Sequence, residues 1–509
     1  MRYLLGIDVS TTGAKALIMD PSGNVVAIAT TEYPLSTPRP LWAEQSPQDW
    51  WDGACSSIRA ALHQAGLTGE DVQAVGLTGQ MHGLVMLDAA GSVLRPAILW
   101  NDQRTERQCG EILEKCGGVD NLVAMTGNAV LPGFTAPKIL WVQENEPEVY
   151  ARVAHILLPK DYVRFCLTGE HATEVSDASG TSLLDVARRR WSERMLDALS
   201  IPREWMPRCT ESQEISGRIT REAALRCGLK TGTPVAGGAG DQAAQAIGSG
   251  VIQPGIISVT CGTSGVVFAF SDTFAAETHG RLHAFCHAVP GAWHLMGVML
   301  SAGGSLRWLR DCLGEPERTT ARNRGEDPYD LLTREAANAP PGCDGLVFLP
   351  YLTGERTPHP DPRARGAFVG LTVRHNKEHL IRAVLEGVSF GLRDSLELIR
   401  NLGVPIEQVR ASGGGARSSL WRQIQADVFG TELVRVNVTE GAAYGAALLA
   451  GVGAGIFSSV PDAVEQTVTV IDRVAPDPVN IERYRKLYGV FQSLYPALRP
   501  GFHALADYQ

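Results

Sequence analysis

Residues Gly6 to Ile18, GIDVSTTGAKALI, read as an apolar strand that turns at once through Ser-Thr-Thr-Gly and leaves along a second apolar run carrying one lysine. An aspartate and a knot of hydroxyls at the end of a buried strand admit two readings, an ordinary hairpin with a polar tip or a turn that holds an anion. Working outward, PSGN (Pro21 to Asn24) is a turn, and the β-branched run VVAIATTEY is a third strand, so the chain opens as an antiparallel meander. Ser46 as N-cap, Pro47 at the first helical position and Asp49 in the first turn then start a helix, which Ile58, Ala61, Leu62 and Ala65 continue at helical spacing. The strand VQAVGLTG follows and ends at Gly79. A meander followed by helix and strand in alternation indicates an α/β layer.

The chain has 509 residues, too many for one unit at roughly 150 residues per domain, so two large domains or three ordinary ones are expected. Its composition, 44% hydrophobic and 20% charged, is that of a globular protein. A net charge of −9 argues against a nucleic-acid partner, and ARRRW (Ala187 to Trp191) reads as a solvated turn. Ten scattered cysteines with no CxxC pair, and an N-terminus MRYLLGIDVS without a targeting pattern, read as reduced thiols in a cytoplasmic protein. No apolar run approaches the roughly 18 residues of a spanning helix, so no membrane partner is expected.

The second half repeats the opening theme. GIISVTCGTSGVVFAFS (Gly255 to Ser271) is again strand, hydroxyl turn and strand, which suggests an internal duplication with one such hairpin per domain. A long amphipathic helix from about Lys377 to Arg400, the strand QVRASGGG and a helix beginning near Ser418 follow. The Gly-rich ground between Pro234 and Gly255 marks the boundary, giving domains 1–249 and 250–509, with a helical tail from about 452.

Each hairpin turn offers backbone N–H groups and hydroxyls, which is what a polyphosphate needs when no P-loop is present. In the first, Asp8 is a candidate Mg²⁺ ligand, and Thr11, Thr12 and Lys15 are candidate phosphate contacts. ASGGGARS (Ala411 to Ser418) places three glycines between strand and helix, either to let a flat ligand lie on the backbone or to make a tight turn. AGGAGDQAAQAIGSG (Ala236 to Gly250) delivers Asp241 to a helix start, as a plain N-cap or as an accessible general base. HGRLHAFCH spaces His279, His283 and His287 four apart. On a helix they would stack as metal ligands, but the stretch reads as strand, and no zinc is proposed.

The order of GIDVSTTGAK, GLTGQMHG, ILWNDQRT, TGNAVLPGFTAPKILWV, LLPKDYVRFCLTGE, GAGDQAA, CGTSG, FLPYLTGERTPH, ASGGGARS and EGAAYGAALLA, from about Tyr3 to Gly451, resembles the FGGY carbohydrate kinases, and among them most the xylulose kinases. The resemblance implies two ribonuclease-H-like α/β domains of the actin, hexokinase and Hsp70 kind, with ATP and sugar in an interdomain cleft. It implies Mg-ATP-dependent phosphorylation of D-xylulose, with ribulose, ribitol or glycerol as alternative acceptors and a non-kinase nucleotide-binding protein as the more distant reading. Carried over by motif, Asp241 is the catalytic base and, with Asp8, is associated with the metal. Thr11, Thr12 and Lys15 lie in the first phosphate loop, and Gly262 and Thr263 in the second. Gly413, Gly414 and Ser418 fall on the adenosine segment, Ser418 standing where some members have asparagine. Met81 and His82 contact the sugar, Trp100, Asn101 and Asp102 line its pocket, and Gln242 stands where asparagine is common. Homodimers are common among relatives, although no residue pattern here establishes one.

Overall fold

The computed structural model describes residues 3–508. The meander is present as β1 (Tyr3–Val9), β2 (Gly13–Met19) and β3 (Val25–Glu32), antiparallel in turn, and the helix after it as α1 (Pro47–Ala65). Strand β4 (Val72–Gly79) runs parallel to β1, placing Gly6 beside Gly76 and Asp8 beside Thr78. Short strands Pro234–Ala236 and Ile215–Arg218 extend the sheet beyond β4.

Alternation along β1 sorts its residues between two faces. Leu5, Ile7 and Val9 enter the core shared with Trp50, Ala54 and Ile58 of α1. Leu4 packs on the other face, with Ala243 and Ala244 of α2 (Asp241–Ser249), and Gly6 and Asp8 follow it there by period two.

By compactness the chain divides into two units. The first comprises Met1–Ile252, Ser271–His294 and Val438–Thr469, and the second Gln253–Phe270, Leu295–Asn437 and Val470–Gln509. The two later segments of the first unit are inserted from the second half of the sequence, so neither unit is one continuous stretch. In the second unit, β5 (Gly255–Cys261) and β6 (Gly265–Ser271) form the second antiparallel hairpin, and β7 (Ile406–Ser412) lies parallel to β5. Beyond 452 the chain is not helix alone. Val470–Val474 is a strand paired with Glu432–Val436, and the helix Pro478–Ala506 follows it. Among the described residues no helix is long and apolar enough to cross a membrane.

The stretch EGAAYGAALLA supplies α3 (Gly441–Gly453), which belongs to the first unit. This helix lies on β1, β4 and α2 at backbone-to-backbone distance. A Cβ added to Gly6 would stand 1.9 Å from the Ala443 carbonyl oxygen, one on Gly76 1.9 Å from Ala446 O, and one on Gly445 2.0 Å from Ala244 O. Gly6→Ala should therefore cost at least about 2 kcal/mol in a urea titration, because rigid backbone leaves no side chain to yield. Gly489→Ala meets nothing within 4 Å on the helix Pro478–Ala506 and should instead gain about 0.5–1 kcal/mol. Equal midpoints for the two variants would contradict the tight seat of α3.

Candidate active site

Asp8 ends β1 on the α3 face, opposite Lys15 of β2. Its Oδ1 is enclosed and has no hydrogen-bond partner among the described residues. Burial pushes its carboxyl up to about 6, Lys15 opposing the shift and Glu440 adding to it. The Lys15 ammonium is bonded to the carboxylate of Glu440, the residue that precedes α3, so this lysine is held against α3 and is not extended toward the turn.

Asp241 stands at the first position of α2, and Gly240, not Asp241, is the N-cap residue of this helix. Burial first and the charge of Asp8 second push its carboxyl up to about 7, while the backbone and side chain of Gln242 donate to it and hold the shift down. Two buried carboxyls with raised pKa values, the charge of Asp8 adding to the shift of Asp241 and Lys15 only partly opposing that of Asp8, form a donor set suited to Mg²⁺, which takes one or two carboxylates and completes its shell with water and phosphate oxygens.

The segment after β4 comes to the same place. Met81 packs its Cγ and Sδ where a Gly240 side chain would be, 2.9 Å from that hypothetical Cβ. His82 is left-handed at φ 69°, a conformation uncommon outside glycine. Thr135 Oγ1 at 3.0 Å and the buried Lys138 ammonium at 2.8 Å donate to its carbonyl and pin that geometry. The imidazole Nδ1 donates to Gly180 O at 2.7 Å, and the ring stacks on Phe134 with centroids 4.5 Å apart. His82 is therefore held in one orientation, with Nδ1 the donor to Gly180 O.

The WND segment divides in use. Trp100 is 43% exposed, and its indole Nε1 donates at 2.9 Å to Thr11 Oγ1, whose own proton goes to Gln80 Oε1 at 3.2 Å. The Thr11 hydroxyl is committed to this chain of contacts, and the exposed Thr12 is the open hydroxyl of the turn. Asn101 has an enclosed Oδ1 without a partner. Asp102 is fully buried, taking Ala43 N at 2.7 Å and the Arg104 guanidinium on both oxygens, so it fastens the loop and offers no carboxylate to a pocket. Arg104, which the sequence reading passed over, is recognisable only once this pairing is seen.

In the second unit, Gly262, Thr263, Gly414 and Ser418 line one cavity of about 310 Å³, within the range of small-ligand pockets. Gly303 N and Ala302 N donate to the carbonyls of Gly262 and Thr263 at 2.7 and 2.9 Å, docking the turn on the helix Gly303–Leu313. Gly413 has φ 77°, and a Cβ there would meet the Cys261 carbonyl at 2.7 Å, whereas one on Gly414 meets nothing within 4 Å. Gly413 thus serves the turn and Gly414 the opening. The Ser418 hydroxyl accepts from Trp421 N at 3.3 Å as the cap of the following helix. Arg307 of the helix Gly303–Leu313, and Asp327 and Tyr329 at the start of the helix Pro328–Ala336, complete the wall.

The model for the FGGY family of carbohydrate kinases matches residues 3–248 with its N-terminal domain and 257–454 with its C-terminal domain. The chain belongs to the FGGY family of carbohydrate kinases. This FGGY kinase is 42% identical over 497 residues to the xylulose kinase of Escherichia coli (strain K12), across 97% of this chain and 99% of that one. It is 33% identical to the gluconokinase of Bacillus subtilis (strain 168), over 100% of this chain and 98% of that one. The crystal structure of xylulose kinase from Rhodospirillum rubrum matches with a TM-score of 0.91 at 33% identity, covering 99% of this chain and 100% of that one. The two-domain α/β fold is accordingly that of the actin, hexokinase and Hsp70 superfamily.

The carboxyl shifts have a measurable sign. Both acids have folded values above their ordinary 3.8, so protonation favours the folded kinase. That contribution is complete below the unfolded value and is lost as pH rises through about 6 for Asp8 and about 7 for Asp241. Without nucleotide or metal, Asp241→Asn should therefore lose less melting temperature than the unsubstituted protein between pH 5 and pH 8. Parallel curves would rule out the shift at Asp241.

Proposed function

We propose that this FGGY kinase transfers the γ-phosphoryl group of Mg-ATP to O5 of D-xylulose, giving D-xylulose 5-phosphate and ADP. The observation that carries the reading is Asp241 itself. It stands at a helix start behind the N-cap Gly240, its pKa is lifted to about 7, and Met81 and the oriented His82 lie beside its glycine approach. A general base works best with a pKa near the operating pH. Several relatives with this whole-chain likeness are xylulose kinases.

In this reading Asp241 accepts the proton of the acceptor hydroxyl as its oxygen bonds to the γ-phosphorus and the bond to the β–γ bridging oxygen breaks. His82, Met81, Trp100 and Asn101 orient the sugar. Gln242 steadies the base. Backbone N–H groups and the Thr12 hydroxyl of the first turn, and Gly262 and Thr263 of the second, take phosphate oxygens. Gly414 and Ser418 border the adenosine pocket, with Gly413 shaping it. Asp8 and Asp241 are the residues that would hold Mg²⁺, which when bound neutralises polyphosphate charge. Sugar binding and the base are assigned to residues 1–249, and nucleotide binding to 250–509.

Likeness to a gluconokinase keeps gluconate as the second reading. A coupled ADP-release screen over xylulose, ribulose, ribitol, glycerol and gluconate decides between acceptors. Xylulose should give the highest kcat/KM, and a higher value for another acceptor overturns the choice. Asp241→Asn should fold, bind sugar and lose at least about 10²-fold in kcat. Near-normal turnover in that variant removes Asp241 as the base.

A further inference from the structure

The glycine approach to Asp241 is tied to a buried polar assembly, part of it in the LLPKDYVRFCLTGE motif, that the proposed chemistry does not use. Glu174 is fully buried and caps the short helix Val175–Ala178. It accepts Ser176 N at 2.7 Å, Asp177 N at 2.8 Å, Ser176 Oγ at 3.0 Å and Ser212 Oγ at 2.9 Å. Since the one hydroxyl proton of Ser176 is given to Glu174, its oxygen presents a lone pair outward, and Gly240 N donates to it at 3.1 Å. Gly240 is the N-cap of α2, and Asp241 is the next residue.

The rest of the approach is held in the same way. Gly238 N donates to Ser212 O at 2.9 Å, Gly237 N to Glu214 O at 2.8 Å, and Arg164 to Gly237 O at 3.1 Å. Lys160, also fully buried, sits among Asp161 at 2.6 Å, Asp177 at 3.0 Å and Glu174 at 3.5 Å. Packing three carboxylates and two cations away from water is a poor way to gain stability, because desolvation offsets the attraction. What such an assembly supplies is a fixed geometry. Asp241 needs one, for its helix is anchored by α3 along its length while the direction of its first turn is set by Gly240, which is held by Ser176 and by pairing with Gly79 of β4.

We propose that Ser176, polarised by Glu174, is a positioning residue for Asp241. By accepting the Gly240 N–H it sets the direction in which the first turn of α2 aims the carboxylate. This inference rests on the reading of Asp241 as the general base. It predicts an effect on turnover that does not pass through substrate binding.

The test is steady-state kinetics of Ser176→Ala, Ser176→Cys, Asp241→Asn and the Ser176→Ala/Asp241→Asn double variant, each first shown to melt cooperatively. Ser176→Ala should lower kcat about 10-fold with KM for sugar and for ATP changed by less than about 2-fold, as expected for a misaimed base. Ser176→Cys, close in size and a weak acceptor, should fall between the two and keeps the test valid if the alanine variant does not fold. In the Asp241→Asn background, Ser176→Ala should cost less than about 2-fold more, since a residue acting through the base has nothing left to aim. The proposal is overturned if Ser176→Ala keeps kcat within about 2-fold, if its loss appears in KM, or if it costs the same 10-fold without Asp241. Should Asp241→Asn itself turn over near normally, the base assignment falls and the proposal with it, a result distinct from the failure of Ser176 alone.

Discussion

The close seating of α3 on the first unit's sheet is the constraint from which the site follows. Gly6 on β1, Gly76 on β4 and Gly445 on α3 remove every Cβ that would hold the backbones apart, and Ala443, Ala446 and Ala244 supply the opposing surfaces. At that distance α3 packs against the sheet and against α2 together. Asp8, two residues beyond Gly6 on the same face, is thereby brought under the start of α2, where Asp241 stands. Glu440, just ahead of α3, reaches Lys15 by the same placement. A single larger residue in the seat would separate the carboxyls as well as loosen the core.

That proximity decides the chemistry. Either acid alone in an ordinary surface setting would be ionised and weakly basic. Enclosed beside Asp8, Asp241 is lifted to about 7 by burial first and the Asp8 charge second, while burial and Glu440 lift Asp8 to about 6 against the pull of Lys15. Restraint of the neighbours matters equally. His82 is fixed by four contacts to its ring and carbonyl, and the Thr11 hydroxyl is spent on Trp100 and Gln80, joining the phosphate turn to the WND segment. Among the described residues, Asp8 Oδ1 and Asn101 Oδ1 are left without a partner beside these committed neighbours.

Much of the architecture was legible from local pattern. The apolar runs of β1 and β2, the Ser46-Pro47 start of α1 and the repeated strand–turn–strand at Gly255 state their structures within a few residues. So did Asp241, because glycines before and alanines after an aspartate mark a helix start with little bulk around it. The commitment of Asp102 to Arg104, of Lys15 to Glu440 and of Thr11 to Trp100 was not legible, since each partner is chosen by packing across the unit. Arg307 on one helix, and Asp327 and Tyr329 at the start of another, acquire meaning only where those helices meet a cavity.

The amino-acid order by itself determined the elements, the duplicated hairpins and the carbohydrate-kinase family, because these rest on spacing, backbone freedom and motif order along the chain. Tertiary structure alone decided that segments 271–294 and 438–469 join the first unit, that Gly240 and not Asp241 is the N-cap of α2, and that Glu174 and Ser176 reach Gly240. Those outcomes depend on contacts between residues tens to hundreds of positions apart. Burial and the pKa shifts it causes are properties of such contacts and have no local signature.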